Sequence, residues 1–177
     1  MSEVYLGNPN LKKANTAIEF TQEQILEFMK CKEDPVYFAN NYIKIVSLDE
    51  GLTQFHPYHF QEKLINNFHS NRFNICKMPR QTGKSTTVVS YLLHYAVFND
   101  SVNIGILANK AATARELLGR LQTAYENLPK WMQQGIIAWN KGSLELENGS
   151  KILAASTSAS AVRGMSFNIL FLDEFAF

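Results

Sequence analysis

The loop PRQTGKST at residues 79–86 is the feature that most limits the folds open to this chain. It follows a short apolar segment, residues 73–76, and precedes a long apolar stretch that runs from Ser85 toward Phe98. A strand that leads into a loop ending in Gly-Lys-Ser at a helix start forms a phosphate cradle, because backbone N–H groups and the helix N-terminus face the anion. The pattern therefore predicts a strand over residues 73–76, a helix from Ser85 to Phe98 and an anion site between them.

The side chains of this loop suit nucleotide phosphates, although the match is imperfect. Lys84 is placed to reach the terminal phosphates, and the Ser85 hydroxyl is placed to bind Mg²⁺. The full pattern has glycine five positions before Gly83, where this sequence has Met78. Gly-Lys-Ser also occurs by chance in ordinary strand-to-helix turns, so the loop alone leaves both interpretations open.

A second element, near the C-terminus, favours the nucleotide interpretation. Four apolar residues, 169–172, are followed directly by Asp173 and Glu174. A buried strand that ends in carboxylates places them at the sheet edge where nucleotides bind. Asp173 is expected to hold Mg²⁺ through water, and Glu174 to orient and deprotonate an attacking water. An acidic helix cap after a strand is common in isolation, but about 90 residues after the Gly-Lys-Ser loop the pair indicates a nucleoside triphosphatase.

Further residues are candidates for ligand contacts. The Gln61 amide can pair with the N6 donor and N7 acceptor of adenine while the Phe60 ring covers the base. Considered alone, a helix with one core Phe and one surface Gln is the favoured interpretation, but the position before the phosphate loop favours an adenine contact, hence ATP rather than GTP. Arg80, inside the loop, can stabilise charge on a γ-phosphate, an effect worth roughly 10³-fold in rate, or it is a solvated loop residue. Lys110 is a candidate for contacts with the nucleic-acid backbone, with plain surface charge as the alternative. Arg163 is a candidate for contacting DNA phosphate or for sensing nucleotide, with an ordinary turn as the alternative.

The remaining pattern alternates helices and strands, which predicts an α/β fold with a parallel sheet and helices on its faces. Strands are predicted at residues 102–107, 136–139, 143–147, 151–155 and 168–172, and helices after Thr21, after Asp34, from Pro57 and over residues 111–128. Asn148-Gly149 predicts a tight hairpin turn with positive φ at both residues. Residues 46–55 are interpreted as a connection. We expect an N-terminal arm and helical region over residues 1–55 and a second domain over residues 56–177.

Composition restricts the possible partners and the compartment. Seventeen Lys and Arg against 16 Asp and Glu give a net charge of +1. That charge is too balanced for a protein that coats nucleic acid, although it permits a local basic channel. No apolar run approaches the ~20 residues of a membrane span, and no secretory signal starts the chain. Two cysteines without CxxC spacing and four histidines without metal spacing predict neither a disulfide framework nor a zinc site. The chain is expected to be soluble and cytosolic.

Taken together, these residues give a sequence that resembles the large terminase subunit of tailed bacteriophages, in particular its myovirus branch. The likeness covers nearly the whole chain and includes a phosphate loop without its first glycine. The segments that carry it are residues 11–15 (LKKAN), Phe60-Gln61, residues 80–85 (RQTGKS), residues 105–108 (GILA), residues 139–143 (WNKGS), residues 148–150 (NGS), residues 162–164 (VRG) and Asp173-Glu174. The resemblance implies a P-loop NTPase fold of the ASCE type.

The resemblance also implies a role for each residue of the site. Phe60 and Gln61 would hold adenine, and Arg80 would act as a loop arginine near the γ-phosphate. The implied nucleotide-binding set is Phe60, Gln61, Arg80, Gln81, Thr82, Gly83, Lys84, Ser85 and Thr86. The implied catalytic residues are Glu174, Arg80 and Lys84, and the implied Mg²⁺ ligands are Ser85 and Asp173.

The activity implied by the resemblance is ATP hydrolysis, with Mg²⁺, coupled to translocation of double-stranded DNA into a prohead in the host cytoplasm. The implied partners are the DNA, a portal protein, a small terminase subunit and further copies of the chain in a ring. A DNA helicase of related core is an alternative, but helicases usually continue Asp-Glu-x-His or Asp-Glu-x-Asp, whereas Phe175 and Ala176 follow here. A catalytically silent nucleotide-binding fragment is the other alternative.

The C-terminus departs from the family pattern. In the family, a coupling segment, a second subdomain and an RNase H-like nuclease domain follow the acidic strand, whereas this sequence ends at Phe177. The coupling strand of this ATPase class lies between the phosphate-loop strand and the acidic strand. We therefore expect a gap in the sheet with unpaired backbone groups on both sides, weak or no hydrolysis by these residues alone, and no nuclease activity.

Overall fold

The computed structural model describes residues 3–47, 49–158 and 164–174. After a single 3₁₀ turn at Tyr5–Gly7, helices and strands alternate along most of the chain. The helices are α1 Gln22–Glu33, α2 Pro35–Tyr42, α3 His59–Ser70, α4 Lys84–Phe98 and α5 Ala111–Glu126. The strands are β1 Lys44–Ser47, β2 Gly51–Gln54, β3 Asn103–Ala108, β4 Ile136–Trp139, β5 Ser143–Leu146, β6 Lys151–Ser156 and β7 Ile169–Asp173.

The helix starts predicted near the N-terminus are confirmed. Thr21 caps α1 through a reciprocal pair of bonds, in which the Gln24 N–H donates to Thr21 Oγ1 (3.2 Å) and the Thr21 N–H donates to Gln24 Oε1 (3.0 Å). Asp34 caps α2 by accepting from two backbone N–H groups, with Pro35 at the first helical position. These contacts satisfy donors that a helix start leaves without intrahelical acceptors. α3 begins at His59, two residues after the predicted start at Pro57.

The main sheet has five strands in the order β4-β5-β6-β3-β7. β3 pairs in parallel with β6 and with β7, whereas β5 pairs antiparallel with both β4 and β6. The prediction of a parallel sheet is therefore wrong for one half of it, and the sheet is mixed. Short connections join β4 to β5 and β5 to β6, and only antiparallel pairing is possible across such short loops.

The turn between β5 and β6 also differs from its prediction. Only Gly149 has a positive φ, at +81°, because the loop is longer than a two-residue turn. The Gly149 N–H donates to the Leu146 carbonyl (3.0 Å), and the Leu146 N–H donates to the Ser150 carbonyl (2.9 Å). Such a three-residue loop needs left-handed backbone only at its last position.

Residues 73–76 form no strand, contrary to the prediction. Phe73 is 83% exposed and Ile75 is 99% exposed. A strand needs a neighbour for its backbone N–H and C=O groups, and no described strand lies beside this segment. Among the described residues β7 pairs only with β3, so β7 is an edge strand. A cleft of about 980 Å³ is lined by residues 68–72 and 74–78, by one side of α4 and by residues 168–174.

The prediction that residues 46–55 are a plain connection is wrong, because these residues contain most of a β-hairpin. β1 and β2 pair antiparallel from Lys44 opposite Gln54 to Ser47 opposite Gly51. Each strand has only four residues, which is too short for a period of two to stand out in the sequence.

One apolar core joins the N-terminal helices to the sheet. α4 lies at its centre and is buried over most of its length, in agreement with its apolar sequence. Phe38 from α2 and Leu11 from the N-terminal arm belong to the same core as Leu93 and Ile106. The boundary predicted between residues 55 and 56 stays a prediction. No described helix combines the length and the apolar character that crossing a membrane requires.

Candidate nucleotide site

The phosphate-loop candidate has the backbone shape that anion sites use. Gln81 and Gly83 adopt left-handed conformations, with φ of +62° and +71°. The Thr82 hydroxyl donates to the Pro79 carbonyl (3.0 Å), which closes the loop on itself. Gly83 is the N-cap of α4, and no side chain caps that helix. The N–H groups of the first turn of α4, which have no intrahelical acceptor, are therefore available to an anion.

The loop lysine and the acidic pair, both candidates from the sequence, line one cleft. Lys84, Asp173 and Glu174 all border the cleft between the loop segment and β7. Parallel pairing places Asp173 beside Ala108, at the C-terminal end of β3. Burial raises the pKa of the Asp173 carboxyl, with the Glu174 charge adding to the rise, while Lys84 and Arg120 oppose it. A positive group and two carboxylates thus share the end of the sheet at which α/β proteins bind nucleotides.

Glu174 has an unusual backbone for its residue type. It follows the last residue of β7 with φ of +51°, in the left-handed region. That conformation costs roughly 1–2 kcal/mol for a residue with a Cβ. Such strain concentrates at functional positions, where the surrounding structure enforces it.

Gln61 is buried against the phosphate loop. It lies in the first turn of α3 and is 3% exposed. Its Oε1 accepts from the Tyr58 N–H (2.8 Å), and its Nε2 donates to the Thr82 carbonyl (3.3 Å). A side-chain amide has a second N–H and a further acceptor position on its oxygen. One donor and one acceptor position of the amide therefore have no partner among the described residues.

Phe60, the residue before Gln61 on α3, is 45% exposed. It stacks on Tyr58, with ring centroids 5.9 Å apart and an interplanar angle of 11°. Tyr58 is 70% exposed and was not singled out from the sequence. Tyrosine is not a usual residue at a helix N-cap, so its identity gave no signal. The one local indication was that Gln61, a residue type that often bonds back to the N-cap, follows three positions later.

For the other predicted residues the structure mainly gives their exposure. Arg80 and Gln81 are exposed on the loop, and Thr82, Ser85 and Thr86 are half-buried. Lys110 is exposed at the start of α5. Arg163 and the three residues after Glu174 lie outside the described part of the chain.

Arg120 is a second residue that the sequence did not single out. It lies on α5, where its guanidinium bonds Glu116 Oε1 (2.7 Å), and its charge acts on Asp173. Nothing in its local sequence distinguishes it from a helix-surface arginine.

The donor chemistry fits Mg²⁺ bound together with phosphates. Asp173 and Ser85 offer the hard oxygen ligands that Mg²⁺ prefers, and Mg²⁺ usually completes its shell with water and phosphate oxygens. No group of three or more His, Cys, Asp or Glu side chains able to hold a metal occurs within the described ranges. A site built from one carboxylate, one hydroxyl and the substrate does not require such a group.

The fold is shared with a large terminase of known structure. The crystal structure of the large terminase of bacteriophage HK97 matches with a TM-score of 0.64 and 18% sequence identity. The match covers 80% of this chain and 30% of that one, so this chain spans less than a third of the matched structure. At this identity the comparison shows the fold class, a mixed α/β fold of the kind found in a large terminase.

The sequence comparison identifies the family. Residues 75–177, more than half of the chain, match the family model "Terminase large subunit, T4likevirus-type, N-terminal". The chain therefore belongs to the terminase large subunit family, and the resemblance identified from its motifs is confirmed. The match begins inside the segment before the phosphate loop and includes both Lys84 and Asp173.

Proposed function

We propose that this chain is the ATP-binding and ATP-hydrolysing part of a viral DNA-packaging motor. The observation that carries the proposal is that Lys84 and the Asp173-Glu174 pair border one cleft, at the loop and the strand end where a P-loop ATPase needs them. Membership of the terminase family supports the same class of activity. The proposed fold class is accordingly a P-loop NTPase of the ASCE type.

In the proposed mechanism the phosphate loop binds the phosphates directly, and two further residues bind them through Mg²⁺. The N–H groups of the loop and of the α4 N-terminus, together with Lys84, hold the phosphate oxygens. Ser85 and Asp173 would hold Mg²⁺, which when bound neutralises phosphate charge and fixes phosphate orientation. Glu174 positions a water molecule for attack on the γ-phosphorus and accepts its proton. Arg80, exposed on the loop, stabilises the charge that develops on the γ-phosphate.

The nucleotide in this proposal is ATP. The free donor and acceptor positions of Gln61 match adenine N7 and N6, while guanine offers an acceptor, O6, where adenine has the N6 donor. The exposed Tyr58–Phe60 stack provides an aromatic surface for the base. Gln61 thus favours adenine, and Phe60 contributes contact area.

The proposed motor acts on double-stranded DNA with a prohead. A ring of such subunits on a portal protein, assisted by a small terminase subunit, would convert hydrolysis into DNA movement in the host cytoplasm. We expect slow hydrolysis by these 177 residues alone. The strand that carries Asp173 and Glu174 is paired on one side only within the described sheet, so their positions are weakly enforced.

The first test is nucleotide binding by the purified chain. We expect wild type to bind ATP in the presence of Mg²⁺ and Lys84→Ala to bind at least about tenfold more weakly, since a charge-assisted bond is worth about 1.5–3 kcal/mol. Lys44→Ala, which removes an exposed lysine on β1, is the matched control and should bind as wild type does. Isothermal titration calorimetry with ATP, GTP and ADP gives these affinities. The proposal is wrong if wild type binds no nucleotide or if Lys84→Ala and Lys44→Ala bind equally well.

A further inference from the structure

We propose that Gln61 is a positioning residue that holds the phosphate loop in its binding shape, in addition to any contact it makes with the base. The inference rests on the proposed nucleotide site. It differs from adenine recognition in one measurable respect, because a residue that shapes the loop affects the binding of phosphates that carry no base.

The hydrogen bonds of Gln61 connect two segments that are distant in sequence. Its Oε1 is fixed by the Tyr58 N–H (2.8 Å), inside its own helix start. Its Nε2 then reaches the Thr82 carbonyl (3.3 Å), 21 residues further along the chain. Because the side chain is buried and fixed at its oxygen, its nitrogen is presented to the loop in one orientation.

Gly83 is packed against the same amide. A Cβ at position 83 would lie 2.5 Å from Gln61 Nε2, which is closer than any real contact of that kind. The absence of a Cβ thus allows Gln61 to reach the loop, while the left-handed φ of Gly83 turns the chain into α4. The amide therefore contacts the loop at the two residues that directly precede Lys84.

The loop depends on such a contact because it has few others. Arg80 and Gln81 are exposed, and the bond from Thr82 Oγ1 to Pro79 lies within the loop itself. Gln81 carries a left-handed backbone, which costs free energy unless neighbouring structure enforces it. The bond from Gln61 anchors the loop to a helix outside it, and its loss would leave the loop free to relax.

The binding experiment compares a ligand with a base and one without. Wild type, Gln61→Ala and Gln122→Ala are titrated calorimetrically with ATP and with inorganic tripolyphosphate, each with Mg²⁺. Gln122 is a matched control because its Nε2 also donates to a backbone carbonyl, that of Asn140 (3.0 Å), outside the loop and the cleft. We expect Gln61→Ala to weaken the binding of both ligands about 5- to 10-fold, the size of one lost hydrogen bond, and Gln122→Ala to weaken neither. If Gln61→Ala weakens ATP alone, Gln61 is only a base contact and the inference is overturned.

Backbone relaxation tests the loop without any ligand. The N–H groups of residues 80–86 have no acceptor among the described residues, so the motion of these residues, and not their hydrogen exchange, reports on the loop. We expect ¹⁵N order parameters near 0.85 over residues 80–86 in wild type and values falling toward 0.6 in Gln61→Ala, with other changes confined to the start of α3, where the Tyr58 N–H loses its acceptor. Equal order parameters over residues 80–86 overturn the inference whatever the binding results are. If wild type binds neither ligand, the proposed function fails, and the order parameters still decide whether Gln61 holds the loop.

A variant that loses its hydrogen-bond donor when it ionises separates the donor role of Gln61 from simple packing. Gln61→Glu has nearly the same shape, but an ionised carboxylate cannot donate to the Thr82 carbonyl, whereas the protonated acid can. Relative to wild type at the same pH, the loop order parameters of Gln61→Glu should be low at pH 6.5 and return toward the wild-type values as the pH falls through the pKa of the new carboxyl, about 4–5 before any effect of burial. The difference between Gln61→Ala and wild type should stay constant with pH. A pH-independent difference for Gln61→Glu contradicts the proposed donor role.

Discussion

The two edges of the five-stranded sheet end in opposite ways. At β4 the N-terminal arm pairs with the strand, since the Ile136 N–H donates to the Lys12 carbonyl (2.9 Å) and the Ala14 N–H donates to the Ile136 carbonyl (3.3 Å). At β7 no described segment pairs with the outer side of the strand, and the Leu170 side chain is 48% exposed beside the open cleft. One edge is closed by the chain itself, and the other has no pairing partner among the described residues.

The edge at β4 contributes mainly to the stability of the fold, whereas the edge at β7 carries residues of the proposed site. The closed edge contains buried side chains and an ion pair but none of the predicted site residues. The open edge carries Asp173 and Glu174, the two carboxylates of the proposed ATPase. Unpaired strand edges are usually covered or shortened because they invite association with other chains. Among the described residues β7 has no such cover, so substitutions at the two edges should have different consequences.

The largest expected effect comes from removing the same side chain at each edge. Leu11, on the arm, is 1% exposed and lies in the main core. Leu11→Ala should lower the free energy of unfolding by about 2–5 kcal/mol, because it leaves a cavity. Leu170→Ala, on β7, should lower it by less than about 1 kcal/mol, because much of that side chain is already in water. Urea denaturation followed by circular dichroism measures both values, and equal losses would show that the edges do not differ in stability.

A smaller effect is expected from the ion pair that fastens the arm. Lys12 Nζ lies 2.9 Å from Glu147 Oε1, and the two side chains are 11% and 24% exposed. Burial acts to raise the pKa of Glu147, but the bonds from Lys12 and from the Asn15 N–H outweigh it and hold the pKa below its usual value of 4.5. A carboxyl with a lowered pKa in the folded state stabilises the fold above its unfolded pKa, and this contribution is lost as the pH falls through the folded pKa.

Glu147→Gln should therefore cost about 1 kcal/mol of unfolding free energy at pH 7, and the difference from wild type should shrink progressively as the pH falls below 4.5. Denaturation curves at pH 7 and at pH 3 give the two differences. Glu145→Gln is the matched control, since Glu145 pairs with Lys151 (2.9 Å) on a more exposed surface and its loss should cost at most a few tenths of a kcal/mol. A difference for Glu147→Gln that is the same at both pH values would contradict the role assigned to the ion pair.

The closed edge also shows what the sequence could not predict. The LKKAN segment contributes to the family resemblance, but its pairing with β4 spans more than a hundred residues and leaves no local pattern. The contact of Gln61 with Thr82 is hidden for the same reason. Helix starts such as Thr21 and Asp34 were predictable because the capping residues and the groups they cap are neighbours in the sequence.

The region of the open edge contains both a wrong strand prediction, at residues 73–76, and three candidate site residues that the structure brings to one cleft. Residues 73–76 have the apolar composition of a strand, but composition does not supply the neighbour whose backbone a strand needs. Lys84, Asp173 and Glu174 were identifiable because phosphate and Mg²⁺ chemistry requires those residue types at those sheet and helix ends. The structure places all three at one cleft, and their catalytic roles stay a proposal.

The smallest expected effect lies at Glu174, where the open edge carries backbone strain. Glu174→Gly removes the Cβ that disfavours φ of +51°, so it should raise the unfolding free energy by about 0.5–1 kcal/mol after the entropy of glycine in the unfolded chain is subtracted. Glu174→Ala keeps the strained backbone and should not be stabilised, which makes it the matched control. Both variants lack the carboxylate and should lose any ATP hydrolysis that wild type shows, as measured by phosphate release. A gain in stability for glycine alone, together with loss of hydrolysis in both variants, would mean that the strain at this edge is retained in order to position a carboxylate. Equal stability of the two variants would show that no such strain is stored there.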